Sequence, residues 1–174
     1  SLTLMQFNHA TNMTDRMAAL AGLAQQSDSE DASEAVVGFF EQWQHEPLVI
    51  DKWFAAQATS VLTTVERVRG LMAHPAFTLR NPNRARALIF QFCINNPTGF
   101  HAEDGSGYIF WADQVLALDE INPEIAARLA RAMDQWSRMI PTASKLMQSQ
   151  LQRVASHQGI SRNTLEIVSK ALSL

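Results

Sequence analysis

Five histidines and one cysteine have the widest chemical reach in this 174-residue chain, and their spacing decides what they can do. His45-Glu46 opens like the zinc-protease signature His-Glu-x-x-His, but Val49 stands where the second histidine belongs. Pro47 also disturbs the helix that would set both ligands on one face. His101-Ala102-Glu103 has the His-x-Glu spacing of zinc nucleobase deaminases, whose chemistry needs a later pair of cysteines. Only Cys93 exists, so that reading fails, as do a four-cysteine zinc site and an internal disulfide. Gly105-Ser106-Gly107 invites a nucleophile reading, yet no strand precedes it and Asp104 is a direct neighbour. These glycines read instead as a sharp bend into the next helix. Free N–H groups at that helix start could hold an anion, unless Glu103 and Asp104 already fill the role. The residues alone form no complete catalytic constellation and no metal-ligand set.

The basic residues are rich in arginine. Arg67, Arg69, Arg80, Arg84 and Arg86 crowd one stretch, and Arg128, Arg131 and Arg138 follow later. One reading is a solvated face with ion pairs to Glu66, Glu124 and Asp134. The other is recognition of carboxylates or phosphates, because the planar guanidinium donates two parallel hydrogen bonds. A nucleic-acid groove is disfavoured. The formal charge is −3 with a pI near 5.9, and aromatic interleaving around the arginines is sparse. Cys93 lies in an apolar helical stretch and reads as an inert packing residue.

Positioning any of these groups requires a core, and 47% apolar against 18% charged residues can supply one. No apolar run approaches the roughly 18 to 20 residues that cross a bilayer. Ser1 to Ala10 lacks a basic start followed by an apolar stretch, so no secretory leader and a cytoplasmic location are expected. The dominant periodicity is helical. Met13, Met17, Leu20 and Ala24 share one face, and Ser27 with Glu30 suggests a capping box for a helix bearing Ala32, Val36, Phe39, Phe40 and Trp43. Pro47 to Thr59 reads as a helix, although Leu48–Ile50 alone could pass for a strand. Ser60 is expected to cap a helix carrying Val61, Val65, Val68 and Met72.

Of three Asn-Pro pairs, Asn96-Pro97 reads as a helix stop, while those at Asn81 and Asn122 place a capping side chain before a proline at the first helical position. The first opens a helix bearing Leu88, Ile89 and Phe92; the second, one bearing Ile125, Leu129, Met133 and Trp136. Between them, Tyr108 to Leu118 is apolar nearly all round and must be buried among neighbours. Thr142 begins a further helix with Met147, Leu151 and Val154, for which Gly159 is a left-handed stop. Ser161 caps the last helix, flanked by the staple pair Ile160 and Leu165. The expectation is an all-α chain of about eight helices. The Asn-Pro starts recur at about 40 residues, near the period of HEAT and armadillo repeats, which favours stacked antiparallel helix pairs over a closed bundle.

Specific strings carry more than periodicity. Asn12-Met13-Thr14-Asp15-Arg16, Val49-Ile50-Asp51-Lys52-Trp53-Phe54, Asn81-Pro82-Asn83-Arg84 and Phe100-His101-Ala102-Glu103-Asp104-Gly105-Ser106-Gly107-Tyr108 occur in this order. From about Asn12 to Leu172 the chain resembles the C-terminal portion of bacterial-type aminopeptidase N, a family of zinc metallopeptidases. The resemblance implies that residues 1–174 are a single all-α domain, the later part of a larger superhelical domain of a multidomain enzyme. It would wall and gate a chamber above a zinc ion held by the catalytic domain of the same polypeptide.

The implied partners are a peptide substrate and that catalytic domain, with no nucleic acid and no membrane; the implied cofactor is zinc in the parent enzyme, none in this chain. Arg86 and Arg128 match chamber-facing arginines of the similar enzymes, where they would attract a peptide's carbonyls or terminal carboxylate. No catalytic residue and no metal ligand is expected here, and the chain alone is expected to be inactive. The competing expectations are a free-standing helical-repeat module binding peptides or proteins and, more weakly, a nucleic-acid-binding repeat using Arg67 to Arg86.

Overall fold

The computed structural model describes residues 2–9, 12–26 and 29–174, and among these all regular structure is helical. The chain divides into two compact units, residues 1–99 and 100–174.

In the first unit, α1 (Leu2–His9), α2 (Met13–Gln26), α3 (Glu30–Trp43) and α4 (Pro47–Ala58) are followed by α5 (Val65–Met72). Next, α6 (Pro82–Ala85), a π-helical turn (Arg86–Phe90) and α7 (Gln91–Asn95) form one continuous helical run. The helix α4 is central. It packs on α2, α3 and that run, so it must be apolar around most of its circumference; Val49, Ile50, Trp53, Phe54, Ala56 and Ala58 are buried. The Leu48–Ile50 ambiguity thus resolves to helix, started by Pro47. Trp53 donates its indole N–H to the Val36 carbonyl of α3 at 2.9 Å, tying neighbouring helices together.

In the first unit two helix starts differ from the sequence expectation. The predicted cap Ser27 lies outside the described residues, and α3 is capped by Ser29, whose hydroxyl accepts from the Ala32 N–H. The fifth helix is capped by Thr64 rather than Ser60. Ser60 is buried, and its carbonyl accepts from the Asn96 amide at 2.7 Å. That tertiary bond holds the segment as a turn, and Val61 is left exposed. The Asn81 cap is as expected: its side chain accepts from the Asn83 and Arg84 N–H groups.

The π turn has a packing reason. Buried residues recur four apart as Arg84-Ala85, Leu88-Ile89 and Phe92-Cys93, with Ala87 buried beside the middle pair. A regular helix has 3.6 residues per turn, so this spacing would rotate progressively off the face. A wider turn in the middle slows that drift and keeps the pairs on the core.

In the second unit, beyond a single turn at α8 (Pro97–Phe100), come α9 (Ser106–Ile121), α10 (Pro123–Ala130), α11 (Pro141–Ala155) and α12 (Arg162–Leu172). The helix α9 packs on both α10 and α11, and each of these also packs on α12. Its buried residues surround the axis, as the sequence demanded. Trp111 donates to the Leu129 carbonyl at 3.0 Å and Trp136 to the Ala171 carbonyl at 2.9 Å. The stripe Ile125, Leu129, Met133, Trp136 is buried throughout, but α10 ends at Ala130 and the last two sit in 3-10 turns. The helix expected from Thr142 starts at Pro141, and α11 ends at Ala155, four residues before the left-handed Gly159. Asp119, a lone buried acid on α9, accepts from the Ser161 N–H at 2.7 Å and from the Thr164 hydroxyl at 2.6 Å, which fixes the start of α12.

Candidate functional site

Arg86 and Arg128 belong to different units, and each is exposed on its own helix. Arg86 opens the π turn and donates to the Asn83 side-chain oxygen at 3.3 Å, a neutral partner. Arg128 lies in the last turn of α10 and donates from Nη2 to Glu124 Oε1 at 2.6 Å. Both side chains are exposed and each guanidinium has further N–H donors, so each can donate to a carbonyl or carboxylate of a ligand. Arg131 pairs with Asp134 at 3.7 Å, as the solvated-face reading anticipated.

Arg84, two positions before Arg86, does something else. Its guanidinium is buried, donates to Asp51 Oδ1 at 2.7 Å and to the Ala76 carbonyl, and lies over the Phe54 ring. Asp51 and Phe54 come from one of the strings that carry the resemblance and Arg84 from another. These strings therefore encode a structural latch between α4 and α6.

His74 sits against this latch, its ring 4.6 Å from that of Phe40, 5.2 Å from Trp53 and 5.9 Å from Phe54. Its Nδ1 accepts from the Ala76 N–H at 3.0 Å, so the neutral ring carries its proton on Nε2. Burial, and then the Arg84 charge, hold its pKa below the ordinary histidine range. The folded state therefore resists a proton that the unfolded chain accepts, and stability must fall as pH drops below about 6.5. Burial lowers His101 as well, with the same sign. Urea titrations from pH 7.5 to 5 should show a flatter pH dependence for His74→Asn, which keeps an acceptor for Ala76; an unchanged slope would refute the assignment.

The loop string from Phe100 to Tyr108 is a joint. Gly105 has φ of 75°, and a Cβ on Gly107 would lie 1.9 Å from the Phe100 carbonyl oxygen. Ser106 bonds hold the Asp104 carboxyl below the usual carboxylate range, so the acid occupies the helix start itself. His101 Nδ1 and the Tyr108 hydroxyl share a 2.7 Å hydrogen bond, and burial pushes both toward their neutral forms. The serine thus supports a turn.

Metal chemistry finds no donor set among the described residues, where no three His, Cys, Asp or Glu groups converge. His45 is exposed before α4, and Val49, at the position of the missing ligand, is in the core. Cys93 is buried and its thiol pKa is pushed far up, so it is no nucleophile. The first unit has a groove of about 590 Å³ lined by Val36, Val37, Thr64 and Leu71, among others, and a second hollow of about 550 Å³ between α1 and α2. Arg86 lines neither.

Sequence reasoning did not find the Asp51–Arg84 latch or the Asp119 anchor. For the latch the available signal was Asp51, the one acid in α4, since such a group on a mostly apolar helix must find donors; Asp119, next to Glu120 on α9, gave no such signal.

Residues 1–173 match the family described as "Domain of unknown function (DUF3458_C) ARM repeats". The chain is 42% identical over 170 residues to aminopeptidase N of Caulobacter vibrioides, covering 97% of this chain and 20% of that protein. It is 40% identical over 174 residues to aminopeptidase N of Escherichia coli, covering 99% and 20% respectively. In both, it spans about one fifth of the relative's length. The crystal structure of Legionella pneumophila aminopeptidase A in complex with aspartic acid superposes with a TM-score of 0.91 at 34% identity, over 99% of this chain and 20% of that one. No described helix is long and apolar enough to cross a membrane.

Proposed function

The chain belongs to the DUF3458_C ARM-repeat family and matches the C-terminal helical domain of aminopeptidase N, and on that premise we propose that it walls the chamber over the active site of a zinc-dependent aminopeptidase. The observation that carries this reading is identity near 40% along essentially the whole chain. In this reading residues 1–174 form one portion of a larger helical domain, and the catalytic domain of the same cytoplasmic polypeptide holds the zinc. That metal would polarise the scissile carbonyl. Among the described residues no three ligating groups come together, and the part of this chain in that reading is to enclose and orient the peptide. The aspartic acid in the Legionella structure is a single amino acid of the kind such an enzyme releases.

Arg86 and Arg128 are the positioning groups. Each offers charge-assisted hydrogen bonds to peptide carbonyls or the terminal carboxylate. Replacing either with alanine in the full-length polypeptide should raise KM for short peptides by about threefold to tenfold, with a smaller change in kcat. Unchanged kinetics in both variants would remove the role. The parent activity is tested by hydrolysis of an aminoacyl reporter by the full-length protein and its loss on zinc chelation. The isolated chain should release no amino acid from the same reporter.

A further inference from the structure

The two arginines are not equivalent. Arg128 is pinned to a carboxylate at 2.6 Å on the same helix face, whereas the described partner of Arg86 is a neutral amide oxygen at 3.3 Å. The pairing in α10 is built into the element. Asn122 caps the helix by accepting from the Ile125 N–H, and Ile125, Ala126, Leu129 and Ala130 bury the inner face. Glu124 and Arg128 are thereby held on the outer face, one turn apart. Glu124 stands in the first turn, where the helix dipole favours an anion, and on the N-terminal side of its partner, the better orientation for an i,i+4 pair.

We propose that Glu124 is a specificity-determining residue: it compensates the charge of Arg128, so that this position binds neutral peptide groups and disfavours anionic ones. The inference rests on the chamber role proposed for Arg128. A carboxylate approaching Arg128 must displace Glu124 or stand beside it, and two carboxylates at one guanidinium repel. A carbonyl takes the remaining N–H donors without that conflict. Arg86, with its amide partner, keeps its full charge and is the position left for an anion. Carbonyl and carboxylate recognition are thus assigned to different arginines.

The test is Glu124→Gln in the full-length polypeptide, assayed with a trialanine peptide bearing a free terminal carboxylate and with its terminal amide. One like charge removed at about 4 Å near a solvated surface corresponds to roughly threefold to tenfold. The ratio of KM for the acid to KM for the amide should fall by that factor, and the gain should shrink at high salt. Adding Arg128→Ala should erase it. A ratio unchanged by Glu124→Gln while Arg128→Ala raises KM overturns the role of Glu124 alone. An Arg128→Ala variant indifferent to both peptides overturns this inference together with the chamber role of that arginine.

Discussion

Replacing Gly107 with alanine should cost more than about 3 kcal/mol and leave the second unit largely unfolded at moderate temperature. The added methyl would lie 1.9 Å from the Phe100 carbonyl oxygen and 2.6 Å from the carbonyl carbon. Those atoms are backbone, so no rotamer change relieves the overlap. Phe100 is itself fixed, fully buried with its ring perpendicular to that of Tyr108 at 5.4 Å. The first turn of α9 would have to move away from the segment before it, disturbing the helix on which α10 and α11 pack. Gly105→Ala provides the internal comparison. There the penalty is a left-handed residue, about 1 to 2 kcal/mol, and the nearest atom is the end of the Leu146 side chain, which can yield. Urea unfolding of the 174-residue chain, followed by circular dichroism, should rank Gly107→Ala well below Gly105→Ala. Equal midpoints would show that the close approach is not a constraint.

Removing the carboxylate of Asp51 is the second large perturbation. Arg84 cannot shed its charge, and its side chain is only 9% exposed. Asp51→Ala leaves a buried guanidinium with the Ala76 carbonyl and the Phe54 ring as its remaining partners. The expected loss is about 3 to 5 kcal/mol, the range for breaking one side of a buried pair. Because the pair also carries its own desolvation cost, Asp51→Leu combined with Arg84→Met should be less damaging than Asp51→Ala alone. Denaturant midpoints of the single and double variants decide this. A loss under about 1 kcal/mol for Asp51→Ala would mean that water reaches Arg84 freely.

These two sites show what the sequence could convey. Helical class and both Asn-Pro starts were legible, because a cap and a proline act within a few residues of themselves. The glycine joint was legible as well, and the structure supplies its reason in the Phe100 carbonyl. Ser60 misled because its cap role was overridden by Asn96, a partner 36 residues away. The π turn left no local mark, since its cause is the match between the helix face and α4. Arg84 and Arg86 look alike in an arginine-rich stretch, yet one is core and the other surface. Helical spacing sets them on opposite sides, but that the inward one is an arginine paired in the core rests on Asp51, a partner 33 residues away. The resemblance supplied Arg86 and Arg128 as candidates; Glu124, the partner of Arg128, was among the ion-pair partners expected from the sequence, whereas the neutral Asn83 partner of Arg86 was not.

Each indole that bridges two helices also carries a spectroscopic consequence. Trp53 resides in the first unit and Trp111 and Trp136 in the second, all with the ring N–H engaged by a carbonyl from another element. Their emission therefore reports the separation of particular helices rather than general loosening. Variants retaining one indole at a time would make the chain its own fluorescence gauge, resolving which half melts first without any attached dye.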